Sequence, residues 1–195
     1  MKKKLFTLVF AACVTSYLVG CEQTATTNTD TQSTQSYKAS FPKAIGDSNI
    51  ALTKHNRFVR VDDRVCVTKA YDERNGDILY KRSGDYIQKI TFDKFAQHSP
   101  NTFMLNSYNE QDARTEIMAN NCSILVHPQI RYWASKTFDN KNIVVKIDMY
   151  DGAQLNLLNQ ATLVGTSVKH DSDRGPGAST IDEALELYIN WLYKN

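Results

Sequence analysis

Ile143, Val145, Ile147 and Met149 sit at every second position and alternate with Val144, Lys146, Asp148 and Tyr150. Only an extended chain gathers such residues on one side, so this segment predicts a strand with one buried face. Asp151-Gly152 begins a turn, and Leu157 to Gly165 returns as the partner strand. A hairpin with one apolar face needs a second layer to cover it. The end of the chain supplies one. Ile181, Ala184, Leu185, Tyr188 and Leu192 form a single helical stripe, opened by a Thr180–Glu183 capping box.

Upstream, extended and helical patterns alternate. Val59 to Thr68 is rich in β-branched residues and reads as a first strand. Asp72-Glu73-Arg74-Asn75-Gly76-Asp77 reads as a polar turn. Ser83 to Ala96 places Ile87, Ile90, Thr91 and Phe95 on one helical face. Pro100 breaks the chain, and Thr102 to Leu105 is a short apolar strand. Ser107 and Glu110 form a candidate capping box for a helix carrying Ala113, Ile117 and Met118, which stops at Asn120-Asn121. Ser123 to Trp133 is a strand in which Pro128 marks a bulge or an unpaired position. The order β-α-β-α-β-β-β-α predicts an α/β (α+β) fold, a single mixed sheet of five strands with three helices. The two βα units set parallel strands side by side, and the hairpin adds antiparallel ones.

The first residues follow a different logic. Lys2, Lys3 and Lys4 precede an apolar run from Leu5 to Val19, the pattern of an export signal. The run falls short of the roughly 20 apolar residues that span a bilayer, and Thr7, Thr15 and Ser16 interrupt it. It ends in Leu18-Val19-Gly20-Cys21, which resembles the bacterial lipobox. That resemblance implies cleavage between Gly20 and Cys21 and acylation of the Cys21 sulfur. In the sorting signals it is similar to, Asp after the cysteine favours the inner membrane. Glu22 stands there instead, so the resemblance implies an outer-membrane anchor with the domain in the periplasm. From Glu22 to about Ser36 the chain is Thr, Gln, Ser, Asn and Asp with no large apolar residue, and cannot offset the entropy of ordering. The expected organisation is a signal over 1–20, a lipidated cysteine and disordered tether over 21–56, and a folded domain over 57–195.

Charge and cysteines narrow the partners. The 23 basic residues of the full chain include the three lysines of the leader, which holds no acid; 20 basic groups then face 21 acidic ones. A near-neutral chain has no electrostatic reason to bind nucleic acid. Of the four cysteines, Cys13 leaves with the signal and Cys21 carries lipid. Cys66 and Cys122 remain in an oxidising compartment, either as a disulfide or as two buried thiols on neighbouring strands.

Several residues carry a family likeness. Leu125-Val126-His127-Pro128-Gln129-Ile130, Trp133, the Tyr150-Asp151 turn, Gly165, and Tyr188 with Leu192-Tyr193 resemble a family of short bacterial lipoproteins whose domain has no assigned function. Tyr80 with Ser83-Gly84 is similar to the turn before that family's first helix. The likeness covers about residues 58–194. The family has an acidic-acidic-Arg run and a second tryptophan after the first; here Ala134-Ser135-Lys136 follows Trp133, and Phe138 stands near the second aromatic position. More remotely, the element order is similar to the α/β domains of TolB, CsgG and LpoB, which implies action through protein contacts.

Catalytic and metal chemistry find little purchase. His55, His98, His127 and His170 are scattered, without an i, i+4 pair, and His127 reads as a packed core histidine. No C-x-x-C, G-x-S-x-G or P-loop is present. Asp171-Ser172-Asp173 beside His170, and Asp72, Glu73 and Asp77 near Gly76, read as solvated loops rather than calcium sites. The expectation is therefore a non-enzyme without cofactor or metal. Aromatic and arginine side chains dominate interface hot spots, so Arg131, Tyr132, Trp133 and Phe138 form the candidate contact patch. The plainer reading packs Trp133 beneath the last helix. Together these features predict a membrane-anchored binding or assembly module that contacts an envelope protein. An alternative is a transport accessory holding a lipid or small solute in an apolar pocket; an envelope hydrolase is a third.

Overall fold

The computed structural model describes residues 37–38, 49–133, 141–167 and 178–194. Its elements in chain order are β1 (Tyr37–Lys38), β2 (Asn49–His55), β3 (Val65–Val67), β4 (Arg74–Asn75), β5 (Ile78–Leu79), α1 (Ser83–Ala96), β6 (Thr102–Met104), α2 (Arg114–Ala119), β7 (Ile124–Trp133), β8 (Lys141–Asp151), β9 (Leu157–Ser167) and α3 (Ala178–Leu192). Seven strands form one mixed sheet in the order β1-β2-β9-β8-β7-β3-β6, and β4 and β5 form a separate two-stranded ribbon. β3 runs parallel to both β6 and β7. From β7 through β8 and β9 to β2 the pairing is antiparallel.

The mixed α/β architecture with three helices is the predicted one, and all five expected strands lie in the sheet. Two further strands, β1 and β2, come from residues that the sequence places in the tether. Only Ile50 and Leu52 mark β2 as amphipathic, too brief a pattern to stand out. Its place is fixed by a partner over a hundred positions away: Ile50 lies across from Leu163, and Leu52 is buried beside Ala161. The folded part therefore begins ahead of residue 57, and fifteen residues separate Cys21 from β1.

The alternation along β8 becomes layering. Ile143, Val145, Ile147 and Met149 are buried with Leu52, Ala161 and Leu163 against Ile87 and Phe95 of α1 and Ile181, Leu185 and Tyr188 of α3. On the opposite face α2 covers only one corner, where Ala113 and Ile117 pack on Cys66, Leu105 and Leu125. There a disulfide joins Cys66 of β3 to Cys122, with Cα atoms 5.9 Å apart. The rest of that face, along β7, β8, β9 and β2, has no helix over it among the described residues.

Several local expectations change. The first strand shrinks to Val65–Val67, because Asp63 ties the preceding residues into a loop: its carboxylate accepts the Arg60 N–H at 2.9 Å, the Arg57 guanidinium at 2.5 Å and the Ser123 hydroxyl at 3.0 Å. Ser107 caps nothing with Glu110; its backbone and hydroxyl bond to Glu116 instead, and Asn109 accepts the Gln111 and Asp112 N–H groups. Met118 is 69% exposed, since a six-residue helix buries little beyond Ile117. Pro128 stays in register opposite Ile147, and the bulge falls further along, between Ile130 and Tyr132. The Thr180 side chain lies outside the described residues.

Candidate contact surface

The bulge decides what the end of β7 presents. Before it, Leu125, His127 and Gln129 lie across from Tyr150, Asp148 and Lys146, on the face away from α1 and α3. Arg131 is the extra residue, and an extra residue resets the alternation of a strand. Tyr132 therefore pairs with Val144 on the open face, while Trp133 pairs with Ile143 on the helical side. Without the bulge the two would be exchanged.

Tyr132 is 40% exposed. Trp133 is half-buried, with ring neighbours Tyr80 at 6.4 Å and Tyr86, met edge-on, at 6.1 Å. The plainer sequence reading put it beneath the last helix, but these rings belong to α1 and the turn before it. The β4–β5 ribbon stands beside them. Gly76 adopts a left-handed φ of 58° in its turn, and Ile78 and Leu79 project from it exposed. Partial burial raises the Glu73 carboxyl above its ordinary value, against the opposing pull of Arg131. This end of the sheet thus carries Arg131 at the bulge, Tyr132 on the open face and Trp133 on the helical side, the last next to Tyr80 and the ribbon of Ile78 and Leu79. The last three were missed in sequence, although Asn75-Gly76 followed by an apolar run is a hairpin signal. Phe138, Gly20 and Cys21 lie outside the described residues, as do His170, Asp171 and Asp173.

A polar network occupies the middle of the open face. Asp148 is only 2% exposed and accepts from the Lys146 ammonium at 2.7 Å, the Gln160 amide at 2.8 Å and the Gln129 amide at 3.0 Å. The Thr53 hydroxyl donates to the Gln160 side-chain oxygen at 2.7 Å and so extends the network to β2. These donors satisfy the carboxylate and stitch four strands together. Beside it, His127 is 8% exposed, with Nδ1 hydrogen-bonded to the Thr68 hydroxyl at 2.8 Å. Burial lowers its pKa, assisted by Lys146 and opposed by Glu110 and Asp148. Burial, with Asp148 and Glu110 adding to it, pushes the Tyr150 phenol up to about 12. Among the described residues no group of three His, Cys, Asp or Glu side chains is placed to hold a metal ion.

The lowered His127 pKa has a measurable consequence. An imidazole that binds its proton less readily in the folded state favours unfolding when protonated. The stability it contributes is whole above about pH 6.5 and is lost as pH falls through the lower folded value. Urea midpoints of the wild-type chain should drop from about pH 7 to about pH 5, and His127→Gln should flatten that decline. His55, whose pKa burial also lowers while Asn159 opposes the shift, retains part of the slope in the variant.

No family model matches the chain, and no curated protein sequence is similar to it. Solved structures are. The PelC dodecamer from Paraburkholderia phytofirmans has a TM-score of 0.60 at 13% identity, covering 76% of this chain and 99% of that one. Protein XCC0632 from Xanthomonas campestris, of family DUF330, has a TM-score of 0.43 at 10% identity, with 71% and 88% covered. The lipoprotein GNA1162 from Neisseria meningitidis has a TM-score of 0.41 at 6% identity, with 66% and 96% covered. At 13% identity the likeness to PelC is one of fold.

Proposed function

We propose that this chain is an outer-membrane lipoprotein whose periplasmic domain works by binding another envelope component rather than by catalysis. The observation that carries this reading is the group of apolar side chains at one end of the sheet, with Ile78, Leu79 and Tyr132 exposed and Tyr80 and Trp133 half-buried. Such a surface, mixed with Arg131, has the composition of an interface core. The lipobox-like Leu18-Val19-Gly20-Cys21 supports the anchor. Acylation at one end of a chain raises the local concentration of a domain at the other, so a modest contact suffices in the envelope. The fold shared with PelC, which was solved as a dodecamer, makes a second copy of this chain one specific candidate for the bound component.

The test is in-cell crosslinking followed by mass spectrometry on the native chain, Cys21→Ser, and Leu79→Ser with Tyr132→Ser. Palmitate labelling should mark the native chain and not Cys21→Ser. The native form should capture one envelope protein, or itself, in a defined complex. Both variants should capture markedly less. Equal capture by all three forms, or background alone from the native form, overturns the reading.

A further inference from the structure

The pole of the sheet opposite the contact surface carries its own exposed apolar group. Between β2 and β3 the chain turns through residues 56–64. Val59 points inward, its N–H bonded to the Leu192 carbonyl at 2.9 Å, whereas Phe58 and Val61 point outward, Val61 67% exposed. Phe58 rests against Trp191 near the end of α3, with ring centroids 5.3 Å apart, and His55 lies 4.5 Å from each of the two rings. Cations surround them. Arg57 is paired with buried Asp63, and Arg60 with Asp62. Lys54, Arg64 and Lys194 leave an excess of positive charge around this pole, and of the three only Arg64 has described side-chain partners, the Asn120 carbonyl at 2.8 Å and the Phe103 ring at 4.9 Å.

Register orients β1. β1 is antiparallel to β2, with Tyr37 across from Leu52 and Lys38 across from Ala51. The N-terminal residue of β1 is therefore the one nearer His55. The described part of β1 thus starts at Tyr37, the end of that strand nearer the pole of Phe58 and Val61. Fifteen residues intervene between Cys21 and Tyr37, a reach of at most about 55 Å of chain.

We infer that the pole formed by Phe58, Val61 and Trp191 rests on the bilayer surface, its apolar tips among the acyl chains and its cations against anionic phospholipid headgroups. The biological setting rests on the lipid-anchor reading; the surface itself does not. Three features favour a membrane over a protein partner: protruding aliphatic and aromatic tips, a tryptophan beside them, and a collar of Lys and Arg around them, at the pole toward which Tyr37 lies in β1. With this pole seated, the contact surface at the far end of β8, an eleven-residue strand about 35 Å long, points away from the lipid.

The two tryptophans, Trp133 and Trp191, stand at opposite poles, which makes the test direct. The chain from position 21 onward with Cys21→Ser has neither leader nor acyl group. It is mixed with vesicles of phosphatidylglycerol whose acyl chains are brominated. Trp133→Phe, which emits from Trp191, should be quenched. Trp191→Phe, which emits from Trp133, should not. Phe58→Ser with Val61→Ser should weaken the lipid dependence of quenching about tenfold or more, while a circular dichroism spectrum matching the parent verifies the fold. Absence of quenching at Trp191, quenching at Trp133, or quenching indifferent to Phe58 and Val61 overturns the proposal. Palmitate labelling of the acylated chain is a separate readout, so loss of the anchor and loss of the lipid-facing pole are distinguished.

Discussion

Replacing Cys66 and Cys122 together with alanine should remove about 4 kcal/mol of unfolding free energy. The bond closes a loop with a sequence separation of 56, and the chain entropy it withholds from the unfolded state has roughly that value for loops of this size. Both sulfurs lie in the small cluster beneath α2, beside Leu105, Ala113, Ile117 and Leu125. That cluster is modest, and α2 has six residues, too few to persist without tertiary support. Loss of the bond should therefore free α2 from the sheet as well as lowering the global midpoint by about 8–15 °C for a domain of this size. Thermal unfolding with and without reductant, and for the double variant, measures the first effect. Amide exchange along Arg114–Ala119 measures the second. A midpoint within about 2 °C of wild type would show that the bond is incidental to stability.

Gly152→Ala should cost a comparable amount for an unrelated reason. A Cβ at residue 152 would sit 2.0 Å from the Cys122 carbonyl oxygen and 2.8 Å from its carbon. Both are backbone atoms, so no rotamer change relieves the clash; the turn after β8 must lift off the chain that enters β7. Lifting it breaks the hydrogen bond from the Gly152 N–H to the Ser123 carbonyl at 3.0 Å and disturbs the Ser123 hydroxyl's bond to Asp63. Overpacking of this kind costs about 3 kcal/mol where the obstacle is fixed. Urea denaturation of Gly152→Ala checks it, with Gly76→Ala as the control. Position 76 has open space around it and suffers only from its left-handed φ, which costs roughly 1–2 kcal/mol. If the two variants are equally stable, close backbone approach is not what demands glycine at 152.

Much of the core was legible because periodicity reports burial. Ser83–Ala96 is the helix its spacing predicts, and every residue of the Ile181, Ala184, Leu185, Tyr188, Leu192 stripe is buried. What stayed hidden was set by partners remote in sequence. β2 owes its place to β9, and the short β3 owes its length to a buried Asp63 that pulls residues 57–64 into a loop. Asp148 reads as a solvent-facing residue of an amphipathic strand, yet Lys146, Gln129 and Gln160 close over it. Half of the contact surface could be read from Arg131, Tyr132 and Trp133. The ribbon beside it joins Arg74–Asn75, inside a segment that reads as a polar turn, to Ile78–Leu79 just after it, and strands of two residues fall below any periodic signal.

The pairing of β1 gives the domain a mechanical property. Two residue pairs hold Tyr37–Lys38 to β2, whereas β8 and β9 are joined along eleven-residue strands. A pull applied at Tyr37 meets that two-pair ladder before any longer one, so under load β1 parts from β2 first. β2 meanwhile stays held to β9 by six residue pairs. Such a pull is thus spent at the edge of the sheet before it reaches β7 and β8, which position Tyr132 and Trp133.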